Sequence, residues 1–297
     1  MTRHFITGEE LTATELRGLI ARAAELKGGA TTNGALRGGM VAMLFDRPST
    51  RTRVSFEVAA SQLGGGALVL KSGELQLARG ESVRDTAMVM SRYVQALVAR
   101  VGDHAQITEL ARYSRVPVIN ALTPLHHPCQ ALADLLTLQE RFGGLEGIRL
   151  AYVGDGNNVC NSLMLLGARA GIQVAVSTPP ELRPDPALVE AAGESVELTD
   201  DPREAAKDAH ALYTDVWVSM GDEAEAEARR ALLAPYQLNA ELLSFARDDA
   251  VVLHCLPAHT GEEITEELLY GERSAVWDQA ENRLHAQKAL LELLLAE

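Results

Sequence analysis

Apolar positions follow two alternating rhythms along the chain. Short unbroken runs, MVAMLF (40–45), GALVL (66–70), QALVAR (95–100) and VPVINAL (116–122), read as strands buried on both faces. Between them, apolar residues recur every three to four positions, the period of a helix. After Pro48 the spacing of Val54, Val58, Ala59 and Leu63 predicts a helix with Ser49 as its N-cap, stopped by Gly64, Gly65 and Gly66. SVRDTAMVMSRYV (82–94), capped by Ser82 with Asp85 in its first turn, AQITELARYS (105–114) and HPCQALADLLTLQERFGG (127–144) continue the helical series.

The same alternation then restarts. IRLAYVGDG (148–156), IQVAVST (172–178), the short SVELTD (195–200), HALYTDVWV (210–218), AVVLHCLPA (250–258) and SAVWDQ (274–279) read as strands. Helices are expected from the end of the GDG turn to Gly171, over 184–193 and 202–209, and from Ala280 to Glu297. Strand–helix repetition of this kind implies parallel sheets covered on both faces. The prediction is an α/β fold: two doubly wound parallel-sheet domains joined by interdomain helices, divided as 1–135 plus 280–297 and 136–279. The last helix is expected to pack back on the first half. GDEAEAEARR (221–230) reads as a solvated helix face or a loop.

Composition changes the picture mainly by exclusion. A chain of 297 residues that is 47% hydrophobic and 23% charged can bury its own core. A net charge of −14 and only 4% aromatic residues argue against nucleic acid or an anionic membrane as partner. Three cysteines, Cys129, Cys160 and Cys255, with no C-x-x-C pair, predict a reducing, cytoplasmic setting without a disulfide framework. The first residues lack the apolar core of a secretory leader, and no apolar run is long enough for a membrane span.

Against that acidic background the arginines after Pro48 are misplaced. Arg51 and Arg53 sit in a first helical turn, where the dipole disfavours cations by a few tenths of a kcal/mol each. Ser49, Thr50, Arg51 and Thr52 therefore make either an anion cradle suited to phosphate or an ordinary capped helix with exposed arginines. The segment is not a P-loop, since G-K-[ST] is missing. Further on, His127 and Gln130 flank a helix start. They are a carbonyl-oxygen donor and an amide binder, or an N-cap histidine and a surface glutamine. A histidine at a helix N-terminus stays neutral. Asn157 and Asn158 bind a carboxylate or cap a helix. GDG without G-x-G-x-x-G speaks against a dinucleotide. Asp215 lies near a strand's C-terminal end, where it either binds an ammonium group or is a solvated loop residue. His254, Cys255 and His259 match no metal-ligand spacing, so no metal is expected.

In order and spacing, STRT, ARGESVRDTA, HPCQALADLLT, GDGNN, DVWVSMG and HCLPA resemble the aspartate/ornithine carbamoyltransferase family over nearly the whole chain. SMG and HCLP point to its ornithine branch. The resemblance implies a first domain that binds carbamoyl phosphate and a second that binds the amino acid. It implies no cofactor, and a homotrimer or multiple of trimers with shared sites. By the same resemblance Ser49, Thr50, Arg51, Thr52, Arg100 and Arg283 contact carbamoyl phosphate, and Gln76 reaches the phosphate of a neighbouring subunit. His127 and Gln130 hold the carbamoyl group. Asn158, Asp215, Ser219 and Met220 form the ornithine site, and Cys255 and Leu256 meet the reacting groups. The implied reaction is attack of the ornithine δ-amine on the carbamoyl carbon, giving citrulline and phosphate. Putrescine or acetylornithine as acceptor is the nearest alternative, and a nucleotide-binding regulatory protein the more distant one.

Overall fold

A computed structural model describes residues 2–71, 73, 76, 80–218 and 226–296. The chain divides into two compact units, residues 1–136 with 282–297, and residues 137–281.

In chain order the first unit holds α1 (Ala13–Lys27), β1 (Met40–Phe45), α2 (Thr50–Gln62), β2 (Gly66–Lys71), α3 (Val83–Met90), β3 (Ala96–Arg100), α4 (His104–Tyr113), β4 (Val118–Leu122) and most of α5 (Pro128–Phe142). Its four strands are parallel in the order β2-β1-β3-β4. The central runs are buried as expected, and Val41, Ala42, Met43, Leu97, Val98 and Ala99 have no exposed surface. Each large side chain so buried contributes about 1.5–3 kcal/mol. GALVL is not buried in this way: β2 is the edge strand, no residue of it is fully buried and Leu68 is exposed. Helix α1, which the sequence pattern did not assign, starts at a capping box. Thr12 Oγ1 accepts from the Glu15 amide, and Glu15 Oε2 accepts from the Thr12 amide.

The second unit continues with β5 (Arg149–Val153), α6 (Asn158–Ala170), β6 (Gln173–Ser177), α7 (Pro186–Ala192), β7 (Val196–Thr199), α8 (Pro202–Ala206), β8 (Ala211–Thr214), α9 (Ala226–Leu233), α10 (Ala240–Leu243), β9 (Val251–His254), α11 (Glu266–Tyr270) and the start of α12 (Val276–Leu294). Its five parallel strands run β7-β6-β5-β8-β9. An apolar cluster of Ala151, Val153, Leu212, Val252, Leu233 and Ile264 fills one side of this sheet. Both sheets are doubly wound, as the alternation predicts.

Two local expectations are corrected. SAVWDQ is not a strand. Ser274 makes a single bridge to Val252, and the helix begins at Val276, earlier than the expected Ala280. Trp277 is half exposed there, so only Ala275 and Val276 of the apolar run are buried, too few for a strand. In α2 the buried face is Thr52, Phe56, Ala59 and Ala60, while Val54 and Val58 are exposed, so the apolar phase read from those valines is rotated.

In each sheet the strand order reverses once, between β1 and β3 in the first and between β5 and β8 in the second. The two connections leaving the strands at such a point run in opposite directions and open a crevice beyond the strands' C-terminal ends. STRT and Arg100 follow β1 and β3. GDGNN and Asp215 follow β5 and β8, and HCLP leaves the adjacent β9.

Candidate functional site

The crevice of the first unit gathers positive charge. Ser49 occupies the N-cap of α2 in extended conformation, yet its hydroxyl caps no amide. It accepts instead from Arg100 Nη1 at 3.2 Å. No acidic residue stands in the first turn of α2, so the amides at this helix end face the crevice without a side-chain oxygen from Ser49. Thr50 is exposed and Arg51 half buried, and Thr52 is buried with its Oγ1 accepting from Arg283 Nη2 at 2.7 Å. Arg53 turns to Glu57 on the same helix at 3.0 Å.

Arg283 arrives from α12 and is itself 3% exposed. Its Nη1 donates to Gln130 Oε1. Gln130 Nε2 in turn donates to Asp134 Oδ1 at 2.8 Å, one turn further along α5. His127, just before Pro128, is buried. Burial first, then the charges of Arg283, Arg100 and Arg51, hold its pKa well below 6.5. Its neutrality was expected from the helix dipole. Desolvation and three guanidiniums are the larger causes. A neutral imidazole ringed by arginines can donate one N–H to an oxygen without adding charge.

The second unit's crevice is built around a carboxylate. Asp215 follows β8 and is 7% exposed. Its Oδ2 accepts from Asn157 Nδ2 at 2.7 Å, and its Oδ1 accepts from the Cys255 thiol and the Val216 amide, each at 2.8 Å. Asn157, rather than Asn158, is the N-cap of α6, with Oδ1 accepting from the Val159 and Cys160 amides and from the Tyr152 hydroxyl. Asn158 follows at the first helical position, partly exposed.

Cys255 is the one partly exposed cysteine. Burial pushes the Cys129 thiol up to about 12 and the Cys160 thiol well above its ordinary value, which makes both poor nucleophiles. The loop carrying Cys255 is pinned by its neighbour. His254 Nδ1 accepts from the Leu256 amide at 2.8 Å, so its proton lies on Nε2, 3.1 Å from buried Glu263. Leu256 sits in the left-handed region at φ 58°, which its β-carbon disfavours and the His254 contact holds.

Several predicted positions are not joined to these clusters. Gln76 is exposed, and Ser219 and Met220 lie outside the described residues. Others were missed. Asn157 orients Asp215, and Arg229 pairs with Asp155 of the GDG turn while its Nε donates to the Trp217 carbonyl at 3.0 Å. These links join positions 58 and 74 residues apart, so no local motif announces them.

Among the described residues two groups bring three ligand atoms within 4.8 Å of one another: Asp215, His254 and Cys255, and His259, Glu262 and Glu263. In the first, both His254 nitrogens are already engaged, leaving no lone pair for a metal. In the second, Glu263 already serves His254 and the His259 amide. No helix among the described residues is long and apolar enough to cross a membrane.

Comparison with known proteins matches both halves of the chain. Residues 3–140 match the carbamoyl-P binding domain of the aspartate/ornithine carbamoyltransferases, and residues 146–294 match their Asp/Orn binding domain. The chain is 55% identical to an ornithine carbamoyltransferase of Acidothermus cellulolyticus, across 99% of this chain and 97% of that protein. It is 52% identical to one from Methanoculleus marisnigri, across 100% and 98%. The solved structure of the ornithine carbamoyltransferase from Pyrococcus furiosus superposes with a TM-score of 0.93 at 48% identity, over 98% of this chain and 96% of that one. With both halves matched and more than half its residues shared with a full-length relative, the chain belongs to the aspartate/ornithine carbamoyltransferase family.

Proposed function

We propose that this chain transfers the carbamoyl group of carbamoyl phosphate to the δ-amine of L-ornithine, giving L-citrulline and phosphate. The observation that carries the reading is the chemical contrast between its two switch-point crevices. One converges Arg51, Arg100, Arg283 and a neutral His127. The other centres on Asp215 and a thiol that donates to it. The first suits a doubly charged phosphate and an adjacent carbonyl, and the second an amino acid's ammonium. Residues 1–136 with 282–297 serve as the carbamoyl phosphate domain, and 137–281 as the ornithine domain.

Ser49, Thr50, Arg51, Thr52 and Arg100 cradle the phosphate, and the arginines neutralise it as it leaves. His127, Arg51 and Thr52 donate to the carbamoyl oxygen, which gains negative charge as the tetrahedral intermediate forms. Gln130 holds the carbamoyl nitrogen. Asn158, Asp215, Ser219 and Met220 bind ornithine, with Asn157 orienting Asp215. The free δ-ammonium resembles lysine, with a pKa of about 10.4, and only its neutral form attacks. Desolvation lowers that value. The nitrogen–carbon bond forms first, giving the tetrahedral intermediate; the amine proton passes through the Cys255–Asp215 pair to solvent, and collapse of the intermediate breaks the carbon–oxygen bond and releases phosphate. Leu256 offers its carbonyl to the amine.

The active assembly is a homotrimer or a multiple of trimers in which Gln76 reaches a neighbour's phosphate site. Support for the interface comes from the first unit's exposed apolar side chains, Val54 and Val58 on α2 and Leu68 on β2. Exposed Gln76 follows β2 by five residues.

Citrulline formation from carbamoyl phosphate with ornithine, N-acetylornithine and putrescine tests the reaction. Ornithine should be the preferred acceptor. Preference for putrescine, which has neither carboxylate nor α-amine, would overturn the ornithine assignment.

A further inference from the structure

The motif HPCQALADLLT contains a carboxylate that the reaction as written does not use. Asp134 is fully buried on α5, one turn beyond Gln130. Its Oδ1 accepts from Gln130 Nε2 at 2.8 Å, while Arg283 Nη1 donates to Gln130 Oε1. A carboxamide has two chemically opposite ends, and rotation by half a turn exchanges them. Here the exchange is blocked from both sides. A guanidinium only donates, so it demands the oxygen, and the carboxylate oxygen that accepts demands the nitrogen. Arg283 is itself anchored, its Nη2 donating to Thr52 Oγ1 at 2.7 Å.

We propose that Asp134 is the positioning residue that sets donor specificity: it fixes the Gln130 carboxamide so that only its oxygen meets the acyl phosphate. The inference rests on the reading of carbamoyl phosphate as donor substrate. The Gln130 oxygen has two lone pairs, of which Arg283 uses one. The second takes an N–H from the carbamoyl nitrogen. An acyl phosphate with a methyl group in place of the nitrogen leaves that oxygen desolvated and unmatched. One with a carboxylate oxygen there meets lone pair against lone pair. Rejection of this kind is stronger than a pocket achieves by shape alone, because a buried polar atom is left unpaired. Without Asp134 the carboxamide is at liberty to turn its N–H toward the ligand, and the discrimination fades.

Two stable ligands isolate the effect. Phosphonoacetamide carries the amide of the carbamoyl group, and phosphonoacetate carries a carboxylate in its place. Calorimetric titration of the wild-type protein should show tighter binding of phosphonoacetamide. In Asp134→Leu, which is close in size and has no acceptor, that preference should shrink by roughly tenfold, the size expected for one mismatched buried hydrogen bond. Removing a negative charge also favours the more anionic ligand directly. The same substitution is therefore made in a Gln130→Ala background, where a change acting through Gln130 disappears and a bare charge effect persists. Asp134→Glu, which keeps the acceptor, should restore part of the preference. Equal weakening of both ligands, or an unchanged shift without Gln130, overturns the proposal. Should Asp134→Leu fail to fold, a crystal structure of the wild-type protein with phosphonoacetamide decides. The ligand nitrogen is expected on Gln130 Oε1 with Nε2 still on Asp134, and the reverse arrangement overturns the idea. A wild-type protein that binds neither ligand and forms no citrulline sinks the reaction itself. One that forms citrulline but fails the Asp134 tests loses only this inference.

Discussion

Single side chains in the first crevice differ in what they are positioned to do, and kinetics separates them. Arg51 faces the proposed phosphate, so Arg51→Ala should raise KM for carbamoyl phosphate by tenfold or more, about the loss of one charge-assisted contact, with little change in KM for ornithine. Equal effects on both constants would contradict the cradle. His127 is a donor to the carbamoyl oxygen. His127→Asn should lower kcat by about 10² to 10³ without moving the acid limb of the pH–rate profile, since the histidine does not titrate near 6.5. The same depressed pKa bears on stability. The unfolded chain protonates His127 near 6.5 while the folded chain resists it, so the unfolded state binds the extra proton as pH falls. The stability owed to neutral His127 is complete above pH 6.5 and is lost below it, toward the lowered folded value. A Tm series from pH 7.5 to 5 should decline, and His127→Asn should flatten part of that decline. A mutant curve that runs parallel to wild type would remove His127 from the acid response.

Elements are fixed by their ends as much as by their faces. Asn157 closes the N-terminus of α6 and also holds Asp215, so Asn157→Ala should cost about 1 kcal/mol in denaturant unfolding and raise KM for ornithine. A stability loss with unchanged ornithine kinetics would leave it a cap and nothing more. At the other end, Gly171 is left-handed at φ 86° with open space beside its α-carbon. Gly171→Ala should therefore destabilise by about 1 kcal/mol through backbone conformation alone. Strands and their helices were legible in sequence because each is bounded by turn residues and carries its own rhythm. Phase was less legible: Val54 and Val58 drew the apolar stripe of α2 toward an exposed side, and buried Phe56 and Ala60 were left out of it. The crevice residues that follow strand ends could be named from motifs. Asp134, the double use of Asn157, and Arg229 could not, because each acts through a partner that only tertiary packing or a specific amide orientation defines.

For the molecule as a whole, two sheets with the same winding give two crevices of opposite chemistry. If Val54, Val58 and Leu68 meet a second copy, sedimentation equilibrium should give three times the mass of one chain or a multiple of that. Val58→Glu should then lower both the assembly and the citrulline rate together. A fully active monomer would remove the shared site. One feature of the first unit reaches into biosynthesis. Arg283 completes its charge cluster from a position 153 residues beyond Gln130 and 231 beyond Thr52, after the entire second unit has been encoded. On the ribosome, the amino-proximal sheet emerges first with its guanidinium partner still untranslated. Nascent chains halted before codon 283 thus carry the amino-proximal part of this anion receptor without the guanidinium that completes it.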